Sequence, residues 1–155
     1  MELLIDTNVI LDYLLGDGDF DNIIEVIRSI ERKEFVGCIT ASAVTDIHHI
    51  MVRRLLDDYK TQGDGSLSNR KAKQEIKVKV TNDMEELLSL FRILTVCEKD
   101  VQDAFALRWK DFEDAVQYSV ALNNGIAHIV THNVKDFEQP RIPVSTPEQF
   151  LREAK

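Results

Sequence analysis

Cysteine, proline and glycine are all scarce in this chain. Its 155 residues hold two cysteines, three prolines and six glycines. Two cysteines close at most one bridge, so a disulfide-stapled scaffold is excluded. Each lies in or beside an apolar run, FVGCIT for Cys38 and ILTVCE for Cys97, where a buried reduced thiol is expected. There is no four-ligand Cys/His cluster, which removes a structural zinc. No apolar run approaches the roughly 20 residues of a membrane span. The opening MELLIDTNVI has no basic n-region and meets an Asp at position 6, so no secretory signal is expected. A cytoplasmic, reducing setting without membrane contact is the resulting expectation. Internal repeats are missing too, and only the tip at 61–69 is of low complexity.

Positive charge is also in deficit. Against 19 Lys and Arg stand 27 Asp and Glu, for a net charge of −8. A simple polyanion binder usually presents a basic face, so that class is disfavoured. Nucleic acid is not thereby excluded, because bound cations reverse the local field wherever carboxylates gather. What the chain does have is apolar content, at 44% of residues. A chain this long buries roughly 68–70% of the surface it exposes when unfolded. A single domain over 1–155 is expected.

The patterning alternates. LLIDTN reads as a buried strand ending in a loop, and FDNIIEVIRSIERKE carries Phe20, Ile23, Ile24, Ile27 and Ile30 at helical spacing. EFVGCIT is a second strand. Ser42 can cap the next helix, with Ile47, Ile50, Met51 and Leu55 as its stripe. Residues 57–83 differ: a Gly-, Asp- and Ser-rich tip leads into RKAKQEIKVK, so two helical arms joined by a loop are expected. MEELLSLF continues as helix and RILTVCE as strand. Asp100 is a plausible N-cap for VQDAFALRW. DFEDAVQYSVALNNG is a helix with Gly125 as its left-handed terminator. AHIVT is a strand, HNVKDF a turn and IPVST a short strand. PEQFLREA closes as a helix with Pro147 in its first turn. This alternation implies a parallel sheet between helical layers, whose ligands bind at the carboxyl ends of the strands.

Several acids fall at that edge. Asp6 ends the first strand, and period two points Asn8 the same way if the strand continues. Asp46 lies early in the helix after the second strand. Asp111 and Asp114 share a helix face. Thr131, Asn133 and Asp136 follow the fourth strand. Each has a plain structural explanation as a cap, a dipole-complementing acid or a turn residue. Their shared edge is what singles them out. Clustered carboxylates repel, and a hard divalent cation such as Mg²⁺ removes that cost while recruiting phosphate. Such a site activates water and stabilises charge on a phosphodiester. His48, His49 and His132 lie beside these positions and read as surface or supporting residues. Arg53, Arg54, Lys110 and Lys135 are weak phosphate candidates, and Trp109 reads as packing.

LLIDTNVILDYLL and DFEDAVQYSVALNNGIAHIVTHNVKDF, with the α/β order between them, resemble the PIN-domain family. The likeness is to small stand-alone members similar to the toxin ribonucleases of bacterial toxin–antitoxin pairs. It covers nearly the whole chain; only the basic insertion at 57–83 has no clear counterpart. The resemblance implies a PIN-like three-layer sandwich, with a central, mostly parallel sheet of about four to five strands flanked by helices. It also implies a Mg²⁺- or Mn²⁺-dependent endoribonuclease acting on RNA, a homodimer, and a small antitoxin as partner. By position, Asp6, Asp46 and Asp114 become the metal-holding acids, and Asn8 and Thr131 their polar supports. Asp111 and Glu113 are alternates for Asp114. Asp46 stands where the family usually has Glu, and Asn133 where it often has Asp, so Asp136 takes over part of that role.

Two further readings follow from the residues. Arg70, Lys73 and Lys77 share one side of a helix and form a candidate RNA contact. The departures at 46 and 133 leave open a catalytically weak PIN domain that binds RNA or protein without cutting. A phosphatase lacks its Asp-x-Asp, and neither it nor a phospho-receiver accounts for the acids at 111–114.

Overall fold

A computed structural model describes residues 1–62, 69–138 and 140–154. Strand β1 (Glu2–Ile5) sits at the centre of the sheet because its side chains are apolar on both faces. Leu3 and Ile5 enter one core and Leu4 the other. Around β1 lie β2 (Val36–Thr40), β3 (Arg92–Leu94), β4 (His128–Val130) and β5 (Val144–Ser145). Their order is β3-β2-β1-β4-β5, and every pairing is parallel.

Helices cover both faces. On one side pack α1 (Thr7–Leu15), α2 (Phe20–Glu31), α3 (Ala41–Gln62), α4 (Asn69–Leu88) and α7 (Pro147–Glu153). On the other pack α5 (Glu98–Leu107) and α6 (Phe112–Asn123). The three-layer α/β sandwich with a parallel sheet is as expected. Gly37 lets the α2 side approach closely: a Cβ there would stand 2.7 Å from Ile30 Cδ1 and 2.9 Å from Phe91 Cδ1. Trp109 packs inward against Tyr118 and Phe137, at ring separations of 4.8 and 5.8 Å. Gly125 takes φ +68°, as its place after α6 requires.

The structure corrects four local expectations. After Asp6 the chain turns at once into α1 rather than into a loop. The Asp6 carbonyl accepts from the N–H groups of Val9 and Ile10 at 3.1 and 3.3 Å. Val9 and Ile10 are buried, and tertiary burial of this short apolar run outweighs its weak helical periodicity. Second, Thr40 rather than Ser42 caps α3, its Oγ1 accepting from the Ala43 N–H at 3.2 Å. Third, α5 begins earlier than its apolar run. Asp100 is not its N-cap but the third residue of its first turn, reaching back to accept from the Cys97 N–H at 2.8 Å. Fourth, Cys97 is therefore exposed, whereas Cys38 is buried; both are free thiols.

The arms expected at 57–83 are the outer parts of α3 and α4, while 63–68 of the tip lie outside the described residues. The two helices run antiparallel, with His48 Nε2 and Thr81 Oγ1 3.1 Å apart. Among the described residues no helix is long and apolar enough to cross a membrane.

Candidate functional site

The strand order reverses between β1 and β4. β2 and β3 extend the sheet on one side and β4 and β5 on the other, which puts the place where sheets of this kind have their ligand crevice beyond the carboxyl ends of β1 and β4. Asp6 and Thr131 are the first residues past those two ends, and the Asp6 N–H donates to the Val130 carbonyl at 3.0 Å.

Asp6 is 1% exposed and closely held. Its Oδ1 accepts from Gln117 Nε2 at 2.8 Å. Its Oδ2 accepts from Thr131 Oγ1 at 2.6 Å and from Asn8 Nδ2 at 2.7 Å. Thr131 Oγ1 in turn accepts from the Asn133 N–H at 2.9 Å, and Asn8 Oδ1 from the His132 N–H at 3.2 Å. The expected supports Asn8 and Thr131 are thus in place. Asn8 arrives through the first turn of α1, not through strand alternation, and Thr131 from the end of β4. Burial nevertheless raises the Asp6 carboxyl above its ordinary range, because the bonds from Thr131, Gln117, Thr7 and Asn8 only partly offset desolvation.

Helix α6 aims its first turn at the same crevice. Asp111 caps it, accepting from the Glu113 and Asp114 N–H groups at 2.9 and 3.2 Å. Asp114 is buried, and its carboxyl is pushed up to about 7 by burial first, then by Asp6, Asp111, Asp136 and Glu113. Glu113 accepts from Thr7 Oγ1 at 3.1 Å. Its carboxyl is raised by burial, against the Thr7 bond, and by Asp46, Asp6 and Asp111. Every charge that moves Asp114 and Glu113 is another carboxylate.

Of the sequence-identified acids, Asp6, Asp111 and Asp136 act electrostatically on Asp114, while Asp46 acts on Glu113. Glu113, held only as an alternate, is the link to Asp46. Gln117 and Thr7 were missed; Gln117 lies one turn after Asp114 on the same face, which is the signal that could have found it. Asn133 contributes its backbone N–H, and its side chain is exposed. His48 turns toward α4, and His132 Nε2 lies 3.2 Å from Asp12 Oδ2. Arg54 pairs with Asp17 at 2.9 Å. Arg70 and Lys73 lie toward the outer end of α4: at 1.5 Å per residue they stand about 16 and 12 Å along it from Thr81, whereas Lys77 is only about 6 Å away.

Do these residues fit a hard divalent cation? The donors are carboxylate oxygens, their charge is uncompensated, and one buried acceptor, Gln117 Oε1, has no hydrogen-bond partner. Among the described residues, no three His, Cys, Asp or Glu side chains are already closed around a metal position. The donor chemistry and the charge fit. Closure calls for rotation of the more exposed acids Asp46, Glu113 and Asp136.

Residues 2–135 match the family model of the PIN domain, PIN_3. No curated protein matches the chain. Solved structures of similar fold include FitAcB from Neisseria gonorrhoeae, at 19% identity and a TM-score of 0.66, over 94% of this chain and 98% of that one. A toxin–antitoxin complex from Klebsiella pneumoniae is similar at 18% identity and a TM-score of 0.59, over 94% and 97%. VapC20 from Mycobacterium tuberculosis, described as a Sarcin-Ricin loop cleaving toxin, is similar at 16% identity and a TM-score of 0.55, over 82% and 86%.

Proposed function

The chain belongs to the PIN-domain family, and on that premise we propose that it is a Mg²⁺- or Mn²⁺-dependent endoribonuclease. The observation that carries this reading is Asp114, buried at the start of α6 with the carboxylates of Asp6, Asp111, Asp136 and Glu113 acting on it; burial and these charges push its own carboxyl up to about 7. Asp6 and Asp114 would hold the metal. Asp46, Glu113, Asp136 and Asn133 would be its further donors, directly or through water. When bound, the cation supplies Lewis-acid stabilisation of the phosphodiester and eases deprotonation of water.

The protein's own residues do the rest. Asn8, Thr131 and Gln117 fix the Asp6 carboxylate, and Asp111 fixes the start of α6, so the two principal acids are positioned before substrate arrives. Incubation with unstructured RNA and Mn²⁺ should give internal cleavage that EDTA abolishes. Intact RNA under both conditions would contradict the reading.

The similar structures, among them a toxin–antitoxin complex and a Sarcin-Ricin loop cleaving toxin, support a role as the toxin of a toxin–antitoxin pair, with a small antitoxin as partner, and the family likeness favours a homodimer. RNA or protein binding without cutting is a second reading, favoured by the acids not being closed on one point. Position 46 separates the two. Asp46→Ala is expected to lower cleavage by about tenfold, the worth of roughly 1.4 kcal/mol at the transition state. Asp46→Glu should keep or raise it. Equal cleavage by wild type and Asp46→Ala would make Asp46 a helix-dipole acid only.

The insertion at 57–83 is proposed as an RNA-contacting arm. If Arg70, Lys73 and Lys77 meet phosphates, changing all three to Gln should flatten the salt dependence of single-strand binding by about two units. An unchanged slope with a lost dimer would make this arm a protein contact instead.

A further inference from the structure

Phe105, near the end of α5, and Phe112, the first residue of α6, are 58% and 44% exposed. Their rings lie 4.6 Å apart, tilted by 34°. Two phenyl rings stacked on one another yet open to solvent form an apolar platform that gains by being covered. Phe112 follows the capping Asp111 in the first turn of α6, and its ring leaves the helix about 200° around from Asp114, on the side of Phe105, so the platform lies round the helix end from the candidate site.

The connection between the two helices adds a second observation. Arg108 is held at φ +57°, a left-handed conformation unfavourable for arginine. Arg108 and Lys110 are exposed, and neither has an ion-pair partner among the described residues. Trp109 between them turns into the core. An acidic chain thus presents two uncommitted cations and two uncovered rings around the start of the helix that carries its acids.

We propose that Phe105 and Phe112 form a stacking subsite for an unpaired RNA base next to the phosphate addressed by the acids, with Arg108 and Lys110 on the flanking backbone phosphates. This rests on the nuclease reading above. A ring face accepts any base, so the subsite selects for an unpaired nucleotide rather than for sequence.

The test uses a short single-stranded oligoribonucleotide, in EDTA at low salt, with an abasic site placed at each position in turn. In wild type, one abasic position should weaken binding by roughly tenfold. Phe112→Leu should lose roughly the same factor and become insensitive to that abasic position. Phe105→Leu should lose less, and both variants should melt like wild type. Phe112→Leu binding with wild-type affinity and wild-type abasic sensitivity overturns the proposal. So does a wild type that fails to bind, or a variant whose oligomeric mass falls while its RNA affinity stays. Mn²⁺-dependent cleavage of the same oligonucleotide by wild type is scored separately. Base-specific binding without cleavage would sink the nuclease reading and leave the subsite standing; cleavage with unaltered binding by Phe112→Leu would do the reverse.

Discussion

Without metal, Asp114→Asn is expected to melt higher than wild type at pH 8, by some 4–8 °C if about 2 kcal/mol is recovered. The native Asp114 carboxyl sits at about 7 against an ordinary value of 3.8. A raised native pKa means that the native state binds the extra proton. Its stabilising contribution is complete below about pH 4, and is lost as pH rises through about 7. Above that, the ionised carboxylate faces Asp6, Asp111, Asp136 and Glu113 with no counter-charge. The nearly isosteric amide removes that repulsion. At pH 4 the two proteins should melt alike.

Added Mn²⁺ should reverse the order. At a hundred times its Kd, a ligand that binds only the native state adds about 2.7 kcal/mol. Wild type should gain this at pH 8 and lose most of it at pH 5.5, where protons occupy Asp114. Asp114→Asn should gain little at either pH. A full Mn²⁺ shift in the variant would remove Asp114 from the site.

Asp6→Asn is expected to abolish cleavage, with a loss of about a hundredfold or more, the worth of roughly 3 kcal/mol of transition-state stabilisation. Its effect on metal-free stability should differ from that of Asp114→Asn. Asp6 accepts from three side chains, Gln117, Thr131 and Asn8. An amide in its place turns one acceptor into a donor facing donors, which costs about 1–3 kcal/mol. That offsets the relief of burying a neutral group, so the melting temperature should move little. Cleavage rates and melting curves of the two variants, measured side by side, check both statements. Near-normal cleavage by a folded Asp6→Asn would remove Asp6 from the reaction.

Much of this edge could be read from residue order, because alternation of strand and helix places the strand ends and the acids follow them. LLI, AHIVT and FVGCIT read as strands from their short apolar runs, and Gly125 and Pro147 marked their helix ends by backbone preference. α1 was not legible: its apolar residues lie almost all round, and their burial against the sheet, not their spacing, makes the helix. The start of α5 was hidden because a cysteine occupies its cap. At the candidate site, Asp6, Asp46, Asp111, Asp114 and Asp136 were singled out by their positions relative to strand ends. Glu113 and Gln117 were obscured for a different reason. Which face of α6 meets the crevice depends on how α6 packs against α5 and the sheet, and that is a tertiary property.

The most direct test of the account is an anomalous difference map from crystals of the protein soaked in Mn²⁺. The account predicts a manganese peak beyond the carboxyl ends of β1 and β4, bounded by the carboxylates of Asp6 and Asp114, and its loss in Asp114→Asn. A peak only at other acids, such as those on α4, or one that persists unchanged in Asp114→Asn, would contradict it.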